Sequence, residues 1–306
     1  MSAADSATHA AITKKNSGLL ANPYLVPFDG GFHIGRTATA PPADAPGDKA
    51  CKRRLEEAVA ELAVLQKVLF AGRHHAILLV FQAMDAAGKD GTIRSLLTGV
   101  NPAGCHVHPF QKPTAEEIDH DFLWRTSLRL PARGHIGVFN RSHYEEVLVV
   151  RVHPELLIGQ RLPAESNLEQ LWWERYESIV EYEKHLARSG TLILKFFLHV
   201  SPAEQKKRLL ERLRKPETQW KFDAGDLDER GHWAAYQQAY EDALRATSRS
   251  QAPWFAIPAD DKAYMRMVVA ETVVQALQDL DMTYPQPSRR SREEIEALRA
   301  RLEAMA

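Results

Sequence analysis

The sequence predicts an α/β fold with a mainly parallel sheet, and three observations carry that prediction. Short apolar runs such as Ile77–Phe81 and Thr191–Val200 alternate along the chain with stretches of helical periodicity. The runs are apolar on both faces, as suits strands covered by helices on either side. Between them fall helix-start signatures: Thr114 with Glu117, Ser166 with Glu169, and Ser201-Pro202-Ala203-Glu204.

Residues 1–48 come first, rich in Ala, Pro, Gly and Thr and without sustained periodicity; they read as an extended arm or a partly disordered tail. Leu55, Val59, Leu62, Leu65 and Leu69 recur at steps of three and four, which predicts a helix over 49–70. The run Ile77–Phe81 is the first strand; a loop at 83–88 leads to a helix over 89–98 and a short strand at 105–110. The Thr114/Glu117 capping box opens a helix expected to continue through Leu128, and a strand follows at 135–139. The Ser166/Glu169 box starts a long helix with Leu168, Trp172, Tyr176, Ile179 and Leu186 on one face. Thr191–Val200 is the strongest strand, Ser201 opens a basic helix, and a helix (232–246), a strand (254–257) and a helix (261–279) follow. A charged helix begins near 291, giving an arm (1–48), one α/β domain (49–285) and a C-terminal helix (286–306).

Composition narrows the function classes. With 39 basic and 40 acidic residues and a hydrophobic share of 44%, the chain is neither collagen-like, wholly disordered nor a multi-span membrane protein. No apolar run approaches the ~20 residues of a bilayer span, and Met1–Ala10 lacks a basic start and an apolar core, so no membrane partner and no secretory signal are expected. Two cysteines, Cys51 and Cys105, do not make a disulfide framework, and a cytoplasmic location is expected. Near-neutral overall charge gives no hint of a nucleic-acid partner, and none is expected.

The segment Phe81-Gln82-Ala83-Met84-Asp85-Ala86-Ala87-Gly88-Lys89-Asp90-Gly91-Thr92 follows the first strand and opens a helix, the context a phosphate-binding P-loop requires. Small residues let backbone N–H groups at 86–92 converge on a phosphate, the helix N-terminus adds partial positive charge, and Lys89 adds a full one. The pattern is imperfect: Ala83 stands where a first Gly is usual, and Asp90 replaces the Ser or Thr that would hold magnesium. Asp85 would repel a phosphate unless Mg²⁺ sat between them; its alternative role is a helix cap accepting from Ala87 or Gly88 N–H. The strand over 135–139 ends in Asn140-Arg141-Ser142-His143-Tyr144-Glu145, and ligands in open α/β sheets bind beyond such carboxyl ends. Arg141 is placed to neutralise a transferring phosphoryl group, while Asn140 reaches a metal only through water or its carbonyl oxygen. A helix cap and a surface ion pair are the plain alternatives for these two.

Together, Ala83–Thr92 and Phe139–Glu145 resemble the polyphosphate kinase 2 family. The likeness extends to Gly99-Val100-Asn101-Pro102, His120–Arg125, Trp220-Lys221-Phe222, Ala252-Pro253-Trp254 and Pro258–Lys262, covering about residues 50 to 285. The resemblance implies a thymidylate-kinase-like P-loop kinase fold: three α/β/α layers, a five-stranded sheet and a helical lid over about 201–232. It implies reversible phosphoryl transfer between inorganic polyphosphate and AMP or ADP, forming ADP or ATP, with Mg²⁺ as cofactor and Mn²⁺ as its substitute. Carried over, Asp85 and Lys89 belong to the Walker A motif, with Asp85 the metal-positioning group, and Asn140 and Arg141 to the Walker B region. Many members carry Asp where Asn140 stands; Asn resembles the subgroup accepting both AMP and ADP. A homo-oligomer is expected from the resemblance and from the arm, which could wrap a neighbour.

Between Ser201 and Phe222, seven basic residues face three acidic ones, and the segment resembles the family's lid. Most of these side chains read equally as a solvated helix face; Arg208 and Lys221 are the first candidates to touch polyphosphate and Arg212 the second, because a closing lid completes a charge clamp. Asp121 and Arg125, one turn apart, either contact the acceptor nucleotide or pair with each other. Arg133, with Lys67, Arg73 and Arg129, could line a channel for an extended polyanion, though the sequence does not place them. The pairs His74-His75 and His106-x-His108 lack the partners of a zinc site. Two other functions fit the same motifs: a nucleotide kinase with ATP as donor, and a P-loop module that binds polyanions without catalysis.

Overall fold

The structure is a computed structural model that describes residues 17–163, 167–220 and 225–305. In chain order its principal elements are α1 (Asp48–Gly72), β1 (Ala76–Gln82), α2 (Lys89–Leu96), β2 (Cys105–Pro109) and β3 (Ile136–Asn140). Then come α3 (Leu168–Arg188), β4 (Thr191–His199), α4 (Pro202–Arg214), α5 (Trp233–Thr247), β5 (Trp254–Pro258), α6 (Lys262–Gln278) and α7 (Arg289–Glu303). The five strands form one sheet in the order β2-β3-β1-β4-β5, every pair parallel. Each residue of β1 is buried, as expected of a central strand with helices on both faces.

Helix α6 packs against α1 on one side of the sheet, and α5 against α3 on the other. Eleven residues of α6 are buried, on nearly all of its faces, which is why its sequence reads as almost uniformly apolar rather than striped. The parallel register aligns the strands' carboxyl ends: Phe81 lies beside Asn140 and Phe196, Pro109 beside Asn140, and His199 beside Pro258. Every loop leaving the top of the sheet therefore opens onto one rim.

Four expectations are corrected. The helix predicted through Leu128 is two short ones, Ala115–Ile118 and Trp124–Ser127: the Thr114/Glu117 box forms, but the Asp121 carboxylate accepts from Leu123 N–H, a local turn that competes with helix. Asn167 caps α3 through Glu169 N–H, and Ser166 lies outside the described residues. Leu168, at the start of that helix, is 48% exposed, while Trp172, Tyr176, Ile179 and Leu186 are buried as expected. Residues 17–47 do not stand apart as an arm. Val26 N–H donates to Trp254 O at 2.9 Å, and Tyr24 O accepts from Ala256 N–H at 2.8 Å, so the chain at 24–26 runs antiparallel beside β5 and covers part of its open edge. Leu19, Val26, Phe32 and Ile34 of this segment are buried in the core; their irregular spacing follows an irregular path and leaves no period to read. Residues 1–16 lie outside the described residues.

Inside the sheet, Lys195 of β4 is fully buried and donates to Glu183 Oε2 at 2.6 Å, the Tyr144 hydroxyl at 2.9 Å and Thr247 O at 2.9 Å. Burial lowers its pKa to about 8 although Glu183 pulls it up, so it carries its charge at neutral pH. This cluster joins α3, β4 and α5 to the segment after β3.

Candidate active site

The loop between β1 and α2 is shaped by two left-handed residues, Ala86 (φ 60°) and Gly88 (φ 111°). Such a turn draws successive backbone N–H groups towards one side and makes an anion-binding hollow. Gly91 leaves room beside it: a Cβ there would lie 2.7 Å from Arg266 Nη2 and would push that flexible guanidinium off the start of α2. Lys89 is buried and donates to Ala83 O at 2.8 Å. Its pKa is lowered by burial first and by Arg141 next, so the ammonium is held where a second cation opposes it.

Arg141 also has a left-handed backbone (φ 63°), fixed by its N–H donating to Phe81 O at 3.1 Å. The turn aims its guanidinium at Asp85, with Nη2 2.9 Å from Oδ1, and at Glu145, 3.6 Å away. Glu145 foremost, then Asp85, raises the Arg141 pKa against the effect of burial, so the group stays charged. The capping alternative for Asp85 is thereby set aside: Gly88 is the N-cap of α2, and no side chain caps it. Asn140 Nδ2 donates to Asp90 Oδ1 at 2.8 Å, tying the two motifs together through the very residues that depart from the usual pattern.

These groups line one open cleft of about 990 Å³ at the rim of the sheet. From the predicted set it takes Asp85, Ala86, Ala87, Gly88, Lys89, Asp90, Gly91, Asn140, Arg141, Arg208 and Arg212. Thr92 lies beneath, its hydroxyl donating to Gly88 O. Arg208 is not a reaching lid arginine. It is 5% exposed and donates to Ala87 O at 2.7 Å, Ala259 O at 2.6 Å and Glu204 Oε1 at 2.9 Å, clasping the phosphate loop from α4. Gln205, three residues earlier on the same helix, donates to Asp85 O.

Three other expectations do not reach the cleft lining. Arg133 precedes β3, at the opposite end of the sheet, and donates to Ser189 O. Asp121 forms its local turn, and Arg125 does not pair with it; buried, Arg125 donates to Gln111 O at 2.8 Å and lies 3.8 Å from Glu117. It buttresses the 110–112 segment from behind. Lys221 lies outside the described residues.

Sequence reasoning passed over Lys112, Lys262 and Arg266, which also line the cleft, and Glu145, which holds Arg141. A signal for them existed: Lys112 follows the carboxyl end of β2 and Lys262 that of β5, the same rule that singled out Arg141. Among the described residues, eight basic side chains line the cleft against three acidic ones. Burial, then Arg208, lowers the pKa of Lys262; burial, then Arg94, lowers that of Arg266, whose Nε is buried without a hydrogen-bond partner. Cations crowded so closely without matching carboxylates favour an anionic occupant.

A five-stranded parallel sheet with a phosphate loop after its central strand, opening on a cationic cleft, has the P-loop kinase fold. More narrowly, the chain belongs to the polyphosphate kinase 2 family, whose model, Polyphosphate kinase 2 (PPK2), matches residues 47–285. It is 50% identical over 249 residues to an ADP-polyphosphate phosphotransferase of Rhodopseudomonas palustris, covering 81% of this chain and 86% of that one. It is 46% identical over 268 residues to an AMP/ADP-polyphosphate phosphotransferase of Meiothermus ruber, covering 86% and 95%. A crystal structure of polyphosphate kinase 2 from Arthrobacter aurescens is similar with a TM-score of 0.80 at 36% identity, over 88% of this chain and 93% of that one.

Proposed function

We propose that the chain transfers a phosphoryl group between inorganic polyphosphate and AMP or ADP, forming ADP or ATP, reversibly. The observation that carries the proposal is the cleft's excess of basic side chains gathered around a phosphate loop, a charge pattern suited to two polyanions at once. The cationic rim from Arg212 and Lys215 to Lys262 and Arg266 holds the phosphate chain, and the loop amides with Lys89 hold the phosphates at the point of transfer. The acceptor's terminal phosphate oxygen attacks the end phosphorus in line; the anhydride bond breaks, and the polyphosphate leaves one phosphate shorter. No protein nucleophile is needed, because positioning and charge stabilisation carry this chemistry. Arg141, firmly charged and hinged between Asp85 and Glu145, turns towards the moving group.

The donor set fits Mg²⁺, or Mn²⁺ in its place. Among the described residues no group of three or more His, Cys, Asp or Glu could hold a metal alone, but Mg²⁺ commonly takes one or two carboxylates and completes its shell with phosphate and water. Asp85, a 30% exposed carboxylate in a phosphate cleft, would hold it, and the ion would screen charge between the phosphates. No helix among the described residues is long and apolar enough to cross a membrane. Both cysteines are free, as a reducing compartment keeps them, which supports a cytoplasmic location.

The test is purified protein with Mg²⁺, long-chain polyphosphate and AMP or ADP, with no ATP. Formation of ADP or ATP, lost in Lys89→Ala, is expected. Turnover only with ATP as donor, or polyphosphate binding without turnover, would replace the proposal with an ATP-dependent kinase or a polyanion-binding module.

A further inference from the structure

Alternate carbonyls of the phosphate loop are each held by a side chain. Ala83 O accepts from Lys89 Nζ at 2.8 Å, Asp85 O from Gln205 Nε2 at 3.0 Å and Ala87 O from Arg208 Nη1 at 2.7 Å. In a trans peptide the C=O and the following N–H point to opposite sides, and no peptide bond among the described residues is cis. Holding Asp85 O therefore turns the Ala86 N–H away from Gln205, and holding Ala87 O turns the Gly88 N–H away from Arg208. Neither N–H has a hydrogen-bond acceptor among the described residues, and both residues line the cleft. The hollow for an anion is thus shaped from behind, through the carbonyls.

Gln205 and Arg208 lie three residues apart, on one face of α4. They differ in what fixes them. A guanidinium donates from every nitrogen and holds a carbonyl whichever edge it presents. A Gln amide has a donor and an acceptor of nearly the same shape; turned over, it would set its oxygen against Asp85 O and repel it. Arg230 makes the choice. Its Nη1 donates to Gln205 Oε1 at 2.6 Å, and because arginine accepts nothing, the amide oxygen must face it and Nε2 is left for Asp85 O. Gln205 is buried, so solvent offers no substitute partner. Arg230 belongs to the short helix Gly225–Gly231, at the far end of the segment expected to form the lid. Its neighbour Glu229 pins that helix: Oε2 accepts from the Tyr236 hydroxyl at 2.5 Å and lies 3.0 Å from His153 Nε2.

We propose that Gln205 is a positioning residue for the phosphate loop, oriented by Arg230, that aims the Ala86 N–H into the anion hollow and makes the hollow's shape depend on where the helix Gly225–Gly231 sits. This role rests on the cleft being a phosphate site.

Calorimetric binding of tripolyphosphate to the full chain, without nucleotide, tests it, with phosphoryl transfer followed in parallel. Arg230→Met is expected to weaken binding about tenfold and to slow transfer by a similar factor, the lower end of the scale for residues that orient a binding group from behind. Arg230→Lys, which keeps a donor, should restore most of both. In a Gln205→Met background Arg230→Met should add nothing, because Arg230 acts only through Gln205. Gln205→Glu, which keeps an acceptor for Arg230 but sets a carboxylate against Asp85 O, should weaken binding at least as much as Arg230→Met. Additive losses in the double variant would put Arg230 on the phosphate itself and overturn the proposal. A lowered melting temperature with unchanged affinity would make the pair merely structural, and an unaltered chain that binds no tripolyphosphate has no such hollow; either result also overturns it. Binding by the unaltered chain without any turnover would sink the proposed reaction alone, leaving the positioning role to stand or fall on the binding of the variants.

Discussion

Lys89, at the start of α2, and Lys195, within β4, are both buried, and their surroundings treat them differently. Lys195 places its three N–H donors on Glu183, Tyr144 and Thr247, with an opposite charge 2.6 Å away. Lys89 makes one hydrogen bond, to Ala83 O, and the strongest charge acting on it is the repelling Arg141. A buried charge is tolerated where its partners are complete. Where they are incomplete and the group faces a cleft, the missing partner is a ligand. The contrast separates structural from functional charge more sharply than exposure does, since both side chains are hidden.

Removing the completed lysine should have the largest effect. Lys195→Met leaves Glu183 buried without its counter-charge, and urea denaturation should show a loss of about 3–5 kcal/mol. An equal loss in Lys89→Ala would erase the contrast. For Lys89→Ala we expect phosphoryl transfer to fall about 10²–10³-fold, the scale of a lost electrostatic stabiliser, with stability changed by less than about 1 kcal/mol. Arg208 belongs to both regions: its partners are complete, yet one of them, Ala87 O, is a carbonyl of the phosphate loop. Arg208→Met should therefore cost about 1–3 kcal/mol in stability by stranding buried carbonyls and also slow transfer; a purely kinetic effect would return it to the lid.

The smallest effect concerns a buried hydroxyl beside the Arg141 ion pairs. Tyr240 is buried beside Glu145, Arg141 and Asp85, and burial foremost, with Glu145 next, holds its pKa well above 10. The folded protein keeps a proton there that the unfolded chain releases, so this contribution is present below pH 10 and is lost as pH rises beyond it. Tyr240→Phe should flatten the alkaline decline of stability by about 1.4 kcal/mol per pH unit above 10. An unchanged slope in urea titrations would show that the proton is not held.

Much of this was legible in the sequence because it is local. Strands β1 and β4, helices α1 and α3, the Thr114 box and the Ser201 cap follow from hydrophobic period and hydrogen bonds spanning a few residues. The phosphate loop was legible for the same reason: strand, small residues and lysine are contiguous. The edge-covering path of 17–47 was not, since it depends on β5, more than two hundred residues later.

Charge is where the sequence by itself stopped. It determined which arginines and lysines exist and that they cluster after strand ends, but an isolated basic residue looks the same whether it clasps a loop, buttresses a segment or waits for phosphate. Only the tertiary structure decided that Arg208 bonds inward, that Arg125 stands behind Gln111, that Arg133 lies at the far end, and that Lys112, Lys262 and Arg266 meet Lys89. The physical reason is range. Backbone periodicity is fixed by neighbours in the chain, whereas a charge takes its meaning from the groups within a few ångströms, and the parallel register chooses those from strands far apart in sequence.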